Sequence, residues 1–377
     1  MPLLPRAAAP ALLLLVVAAS PVVAQDPDPH IAVTVAPEGC DPIALTVPAG
    51  AFVLEITNAG GDVGEFEVLD GDRVVDEVEN LLPGFTQDIA MRMDGGEYQT
   101  VCFSLTSPRG TLSVTGGAAA TAPPSTVVDA AVLAGYQQTY AMWIQGRAAD
   151  LVTAVTAFAA TIHARDLDAA RAAYPTVRIP WEEIEPVAER FADLDRAIDA
   201  REEDFAGGVD DPAFTGFHRL ERLLWVDGAS GDLDALADGL VANVTELASR
   251  LATPDIDPRL MARGAGELID EVAQSKLTGE EDRYSHTDLW SIRANLDGSR
   301  MIVDLFRPTL EQVAPDRLAQ IDAGFAAVDE VMARYAEGDR FKPFSDITPD
   351  DLSLLQARMA GLSESLSLLP GVLGLVA

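Results

Sequence analysis

The stretch Gly116-Gly117-Ala118-Ala119-Ala120-Thr121-Ala122-Pro123-Pro124-Ser125 divides the chain into two parts with different hydrophobic periods. Small residues and paired prolines favour neither a core nor regular structure, so the stretch reads as a linker. Upstream, between His30 and Val114, the runs IAVTVA, IALTV, FVLEIT, EFEVLD, RVVDEV, FTQDIAM, YQTVCF and TLSVT alternate apolar and polar residues, with Gly, Pro, Asn and Asp at the junctions. Period two bounded by turn residues predicts an all-β sandwich or barrel. Downstream the period becomes helical. Amphipathic runs extend from Val128 to Ile162, Asp166 to Ala173, Trp181 to Phe205, Asp232 to Leu251, Pro258 to Leu277, His286 to Asp304, Pro315 to Glu337 and Pro349 to Leu369, and another starts at Pro212. Prolines such as Pro180 stand where helices commonly begin. Short Gly, Pro and Asp connections between long helices predict an antiparallel helical bundle. The expected protein is multidomain, with a β domain over 25–116, a linker over 117–127 and an all-α domain over 128–377.

Residues 1–24 carry Arg6, an apolar run containing ALLLLVVAA, and small residues before Gln25. This pattern predicts a secretory signal peptide cleaved near Ala24, and hence export. No later stretch reaches the ~18 uninterrupted apolar residues of a membrane span. The net charge of −34 excludes a phosphate backbone as partner, because proteins that bind nucleic acid present lysine and arginine to it. Such a charge suits cations, or a merely well-solvated surface.

Chemistry in the helical half centres on GFHRLERLLW, residues 216–225. Residues three apart share a helix face, so His218 and Glu221 point the same way. Glu182 and Glu185 repeat that spacing in an acidic stretch upstream, and Glu280-Glu281-Asp282 forms a second acidic junction. Carboxylates with at most one imidazole suit iron, manganese or calcium better than a catalytic zinc. A zinc peptidase needs His-Glu-x-x-His. Here Arg222 occupies the fourth position after His218.

In the β half, Cys40 and Cys102 are the two cysteines of the chain. In an exported protein they can form a disulfide. The segments around Cys40, Gly64–Leu69 and Gly96–Cys102 resemble the cupredoxin family. In that family a late strand ends in a copper-binding cysteine, which Cys102 matches. Glu65 stands where the family has a histidine before an aromatic residue, and the loop from Phe103 to Gly110 contains neither the second histidine nor the methionine. Blue-copper ligation is therefore excluded. A less usual copper site of Cys40, Glu65 and Cys102 stays open as the alternative to the disulfide.

Residues 174–205, YPTVRIPWEEIEPVAERFADLDRAIDAREEDF, together with GFHRLERLLW and HTDLWSIRANLDGS at 286–299, resemble the imelysin-like domain of the EfeO family. A cupredoxin-like domain placed before it extends the resemblance across the chain after its leader. The resemblance implies a periplasmic iron-binding component of a bacterial uptake system, partnered with a membrane iron permease and a haem-containing peroxidase. It places metal ligands at Glu182, Glu185, Asp199 and one of Glu280 and Glu281, taken as Glu281, with His218 and Glu221 as the signature pair. No catalytic residue is implied. Ferroxidase-like assistance from copper in the β domain is one extension, and a zinc-dependent metallopeptidase is the alternative that the imelysin name suggests. One geometric condition applies. In a single straight helix Glu185 and Asp199 would lie about 21 Å apart, so either the chain turns back near residues 191–193 or there are two sites.

Overall fold

The computed structural model describes residues 29–375, apart from 72, 104–106, 117–127, 206, 229–231 and 255. The expected leader and linker lie outside the described residues. The alternating runs form the strands β1 His30–Ala36, β3 Ala44–Pro48, β4 Gly50–Asn58, β5 Gly64–Asp70, β6 Arg73–Leu81, β7 Thr86–Met93, β8 Gly96–Cys102 and β9 Gly110–Thr115, with a short β2 at Gly39–Asp41 that the periodicity does not register. They make two sheets, ordered β2-β1-β4-β7 and β3-β9-β8-β5-β6. The inward-facing set, including Val35, Phe52, Leu54, Phe66, Val68 and Leu112, packs between them. Alternation thus gives each strand one face for this core and one for its surroundings.

The helical domain contains α1 Ala130–His163, α2 Leu167–Ala188, α3 Ala192–Ile198, α4 Gly216–Trp225, α5 Leu233–Arg250, α6 Pro258–Gln274, α7 Asp288–Val313, α8 Pro315–Met332 and α9 Pro349–Ser367. Side chains of Asp129, Asp166, Asp257 and Thr348 cap α1, α2, α6 and α9 by accepting from backbone N–H groups of the first turn.

The prolines overturn one expectation. Pro175 does not end a helix and Pro180 does not begin one: α2 runs from Leu167 through Pro175, Pro180 and Pro186. A proline inside a helix removes one hydrogen bond and frees the carbonyl four residues back. For Pro186 that is the carbonyl of Glu182, and it accepts instead from Asn295 Nδ2 on α7 at 3.0 Å. Tertiary contact supplies what the local rule could not foresee. The chain breaks at Glu189–Phe191 and continues into α3, so no single straight helix separates Asp199 from Glu185.

The two domains dock through the edge strand β6. Val74 N–H donates to the Arg190 carbonyl at 2.7 Å, and Arg190 Nε donates to the Val74 carbonyl. Arg263 of α6 grips Asp76 with both terminal nitrogens, at 2.8 and 2.5 Å. Leu69, Val74 and Val101 close an apolar patch over Ala192. The pairing covers an edge that would otherwise present unpaired backbone groups.

Helices α2 and α7 approach closely at Gly298, where an added Cβ would lie 2.4 Å from the Glu183 carbonyl oxygen. Gly298→Ala is therefore expected to destabilise the helical domain by roughly 1–3 kcal/mol through overpacking. A chemical-denaturation midpoint equal to wild type would contradict this packing.

Candidate metal centre

Helix α4 is positioned from its first residue. Gly216 has φ +78°, and a Cβ there would fall 2.1 Å from the Ile198 carbonyl oxygen. Only glycine accepts both the backbone conformation and the contact. Thr215 Oγ1 donates to the Ala197 carbonyl at 3.0 Å, which fastens the start of α4 to the end of α3. As a result His218 Nε2 stands 3.4 Å from Asp199 Oδ1.

The carboxylates expected as ligands do converge, around two buried cations that the sequence reading did not include. Arg178 is fully buried and pairs with Glu182, Asp199 and Glu281, and its Nε lies 3.5 Å from Asp282. Lys276 Nζ donates to both oxygens of Glu185 at 2.6 Å and to Glu182 at 3.1 Å, and lies 3.4 Å from Glu271. Asn295 adds donors to Glu182 and Glu185. Arg178 is signalled only by its place four residues before Glu182 on one helix, and Lys276 by being one of two lysines in the chain. Six carboxyl groups, those of Glu182, Glu185, Asp199, Glu271, Glu281 and Asp282, face Arg178, Lys276 and Arg201, and Glu221 stands beside them against His218. The cluster holds more carboxyl groups than cations.

That excess is concentrated beside His218. Glu221 spends one oxygen on the backbone N–H groups of Tyr284 and Ser285, at 3.0 and 2.7 Å. Its other oxygen, 3.7 Å from His218 Nδ1, has no hydrogen-bond donor, and neither has Asp282 Oδ1. His218, Glu221 and Asp282 each place one ligand atom within 4.8 Å of the others, as do Asp199, His218 and Glu281. The imidazole therefore lies between two carboxylate groups. Asp282 is the ligand candidate that the sequence reading missed beside Glu281. Glu281 is buried in the cluster, whereas Glu280 pairs with Arg283 on the surface. His163 and His286 lie outside the centre and are exposed.

The β-domain candidates separate. Cys40 and Cys102 are joined in a disulfide, with Cα atoms 5.2 Å apart, so neither offers a thiolate. Cys102 is in register with Phe66, and both belong to the inner core. Glu65 precedes Phe66 and so points to the opposite face of the sheet, where it lines the cleft between the domains. Cys40, Glu65 and Cys102 thus form no common site, and these residues do not fit a copper ion.

The comparisons with known proteins agree with this architecture. The family model for imelysin matches residues 136–369, and that for the cupredoxin-like domain matches residues 7–114. The chain is 42% identical over 347 residues to the protein called iron uptake system component EfeO in Escherichia coli O157:H7, covering 92% of each chain. The same identity and coverage hold for the proteins of that name in Escherichia coli K12 and Shigella flexneri. The chain belongs to the EfeO family. A solved structure, the novel purple cupredoxin from Nitrosopumilus maritimus, aligns with 22% of this chain and 99% of its own at 16% identity and a TM-score of 0.20.

In this EfeO-family protein the centre opens on an interdomain cleft of about 720 Å3, lined by Glu65, Glu67 and Glu77 from the β domain and by Glu185, Asp199, His218 and Glu281 from the helical one. Burial favours the neutral form of each carboxyl, but Lys276 and then Arg178 more than offset it at Glu182 and Glu281, which are held below the usual carboxylate range. At Asp282 and Glu185 burial wins and the carboxyls are pushed well up. Burial also pushes Glu67 up to about 7, against the opposing pull of Arg109.

Two expectations follow for this EfeO-family centre. Arg178→Met removes the shared counter-cation of buried carboxylates and should cost about 3–5 kcal/mol, read as a large fall in Tm at neutral pH; a Tm within a degree of wild type would contradict the arrangement. Glu67 keeps its proton in the folded state up to about pH 7, whereas in the unfolded chain it loses it near 4.5. The folded state binds more protons in that window, so this group's contribution to stability falls as pH rises from 4.5 to 7. Glu67→Gln should accordingly raise Tm at pH 7.5, by up to roughly 3 kcal/mol of stability at 1.36 kcal/mol per pH unit, and leave it unchanged below pH 4.5.

Proposed function

We propose that the protein is the iron-binding component of an uptake system, exported to the periplasm, which captures iron at the His218 centre and delivers it to a membrane permease, with a haem-containing peroxidase as a further partner. The observation that carries this reading is the pair of buried, donorless oxygens, Glu221 Oε2 and Asp282 Oδ1, beside a buried imidazole. A buried carboxyl oxygen with no hydrogen-bond donor is costly, and a hard cation that takes the place of the proton burial favours on Asp282 relieves that cost. Asp199 and Glu281, on the other side of His218, would complete an oxygen-rich shell suited to iron. Arg178 and Lys276 keep Glu182 and Glu281 ionised, which prepares the centre for a cation. The names borne by the relatives, the leader-like sequence of residues 1–24 and the acidity of the chain support export and cation handling. No helix among the described residues is long and apolar enough to cross a membrane, so delivery would depend on a partner that does.

No chemistry on an organic substrate is needed. Arg222, one turn beyond His218, engages Glu202, Asp227 and Tyr284, where a zinc peptidase would require a second histidine ligand. With Cys40 and Cys102 oxidised to each other, ferroxidase assistance from a β-domain copper lacks its ligands.

Glu221→Gln and Asp282→Asn should each weaken iron binding by roughly 10-fold or more, about 1.4 kcal/mol, while Glu280→Gln at the exposed neighbour should not. Affinity should fall on acidification, because bound carboxylates must be deprotonated and burial already favours the proton on Asp282. Calorimetric titration with ferrous iron under anaerobic conditions, from pH 7.5 to 5, checks both. Equal affinities in all three variants would remove the assignment.

A further inference from the structure

The carboxylates around His218 do not exhaust the acidic lining of the cleft. On its helical wall Glu185, Glu189 and Glu271 each place one oxygen within 4.8 Å of the others. On the facing wall Glu67 of β5 and Glu77 of β6 are register partners, so their side chains share one face of the sheet, and both line the cleft. Glu77, Glu189 and Glu271 also line a smaller pocket of about 70 Å3 that continues along the seam, so the two walls meet there. Among the cleft-lining residues the cations are Lys276, which sits against Glu185 and Glu271, and Arg201, which pairs with Glu281 and Glu203. Glu67 supplies a second, independent observation. It is 7% exposed, and its Oε2 has no hydrogen-bond partner. A buried carboxyl oxygen without a hydrogen-bond partner is unfavourable, and a cation at the cleft wall would relieve it.

We propose that the seam between the domains holds a second site for a hard multivalent cation, walled by Glu185, Glu189 and Glu271 on the helical side and by Glu67 and Glu77 on the β side. An all-carboxylate donor set selects oxygen-seeking ions over zinc or copper. The site gives the β domain a role that needs no thiolate: its outer sheet face supplies half of a cation-binding seam. Glu185 also belongs to the Lys276 cluster beside the His218 centre, so a cation at the seam stands next to the inner one. Only the identity of the physiological cation as iron rests on the function proposed above. The existence of the site does not.

Equilibrium dialysis of the full chain against terbium(III), a hard trivalent probe, in 150 mM potassium chloride counts the bound ions. The expected count is two per chain for wild type and one for Glu67→Gln/Glu189→Gln, with the remaining affinity within about threefold of the wild-type inner site. His218→Ala/Glu221→Gln should lose the other ion and keep the seam ion. Glu67→Gln replaces a buried carboxyl by an amide of the same shape and should fold, which Tm verifies. Glu77→Gln tests the same wall from the neighbouring strand. An unchanged count in both Glu67→Gln/Glu189→Gln and Glu77→Gln overturns the proposal, as does an equal loss on replacing exposed Glu280. A count that falls with the seam variants but is indifferent to His218→Ala/Glu221→Gln upholds the seam and removes the inner site.

Discussion

Arg178 is the residue on which the helical domain's centre depends. It comes from the middle of α2 and is wholly buried, yet it touches carboxylates from α2 itself, from the end of α3 and from the junction before α7. A guanidinium in that position can remain only if several carboxylates surround it, and those carboxylates can remain buried only if a cation does. The mutual requirement pins three segments to one point. Lys276 repeats the device one layer away, with Glu182 shared between the two cations. Such pairs are weak contributors to net stability compared with apolar packing, so their value lies in fixing where each carboxylate sits. At this centre that position leaves Glu221 and Asp282 with oxygens facing His218.

The backbone is bent to serve the same point. Pro186 frees the Glu182 carbonyl, and Asn295 takes it while holding the side chains of Glu182 and Glu185. Gly216 lets α4 begin against the Ile198 carbonyl, which brings the imidazole to Asp199. Both are departures from helix rules that a neighbouring element compensates. The β domain contributes through its outer face. Its cysteines close the core, and alternation along β5 turns Glu65 and Glu67 away from that core toward the helical domain.

Much of the architecture is legible in residues read in order. Eight of the nine sandwich strands, the change of period at the linker and most helix limits follow from alternation, helical spacing and turn residues. The face shared by His218 and Glu221 follows from a spacing of three. The continuity of α2 through three prolines does not: the group that takes up the Glu182 carbonyl freed by Pro186 is Asn295, 113 residues away on α7. Nor does the choice of Glu281 over Glu280, since adjacent acidic residues have identical local signals and differ only in which one faces the buried cluster.

The sequence by itself determined the element types, the two-domain organisation, the carboxylate-rich character of the centre and the exclusion of blue-copper and zinc-peptidase ligation, because those depend on residue type and short-range spacing. Only the tertiary structure decided that Cys40 meets Cys102, that Arg178 and Lys276 already occupy the middle of the acidic cluster, and that Asp282 stands beside His218. These are contacts between segments distant along the chain. Their existence depends on which faces the folded core turns toward one another, a property that no local period encodes.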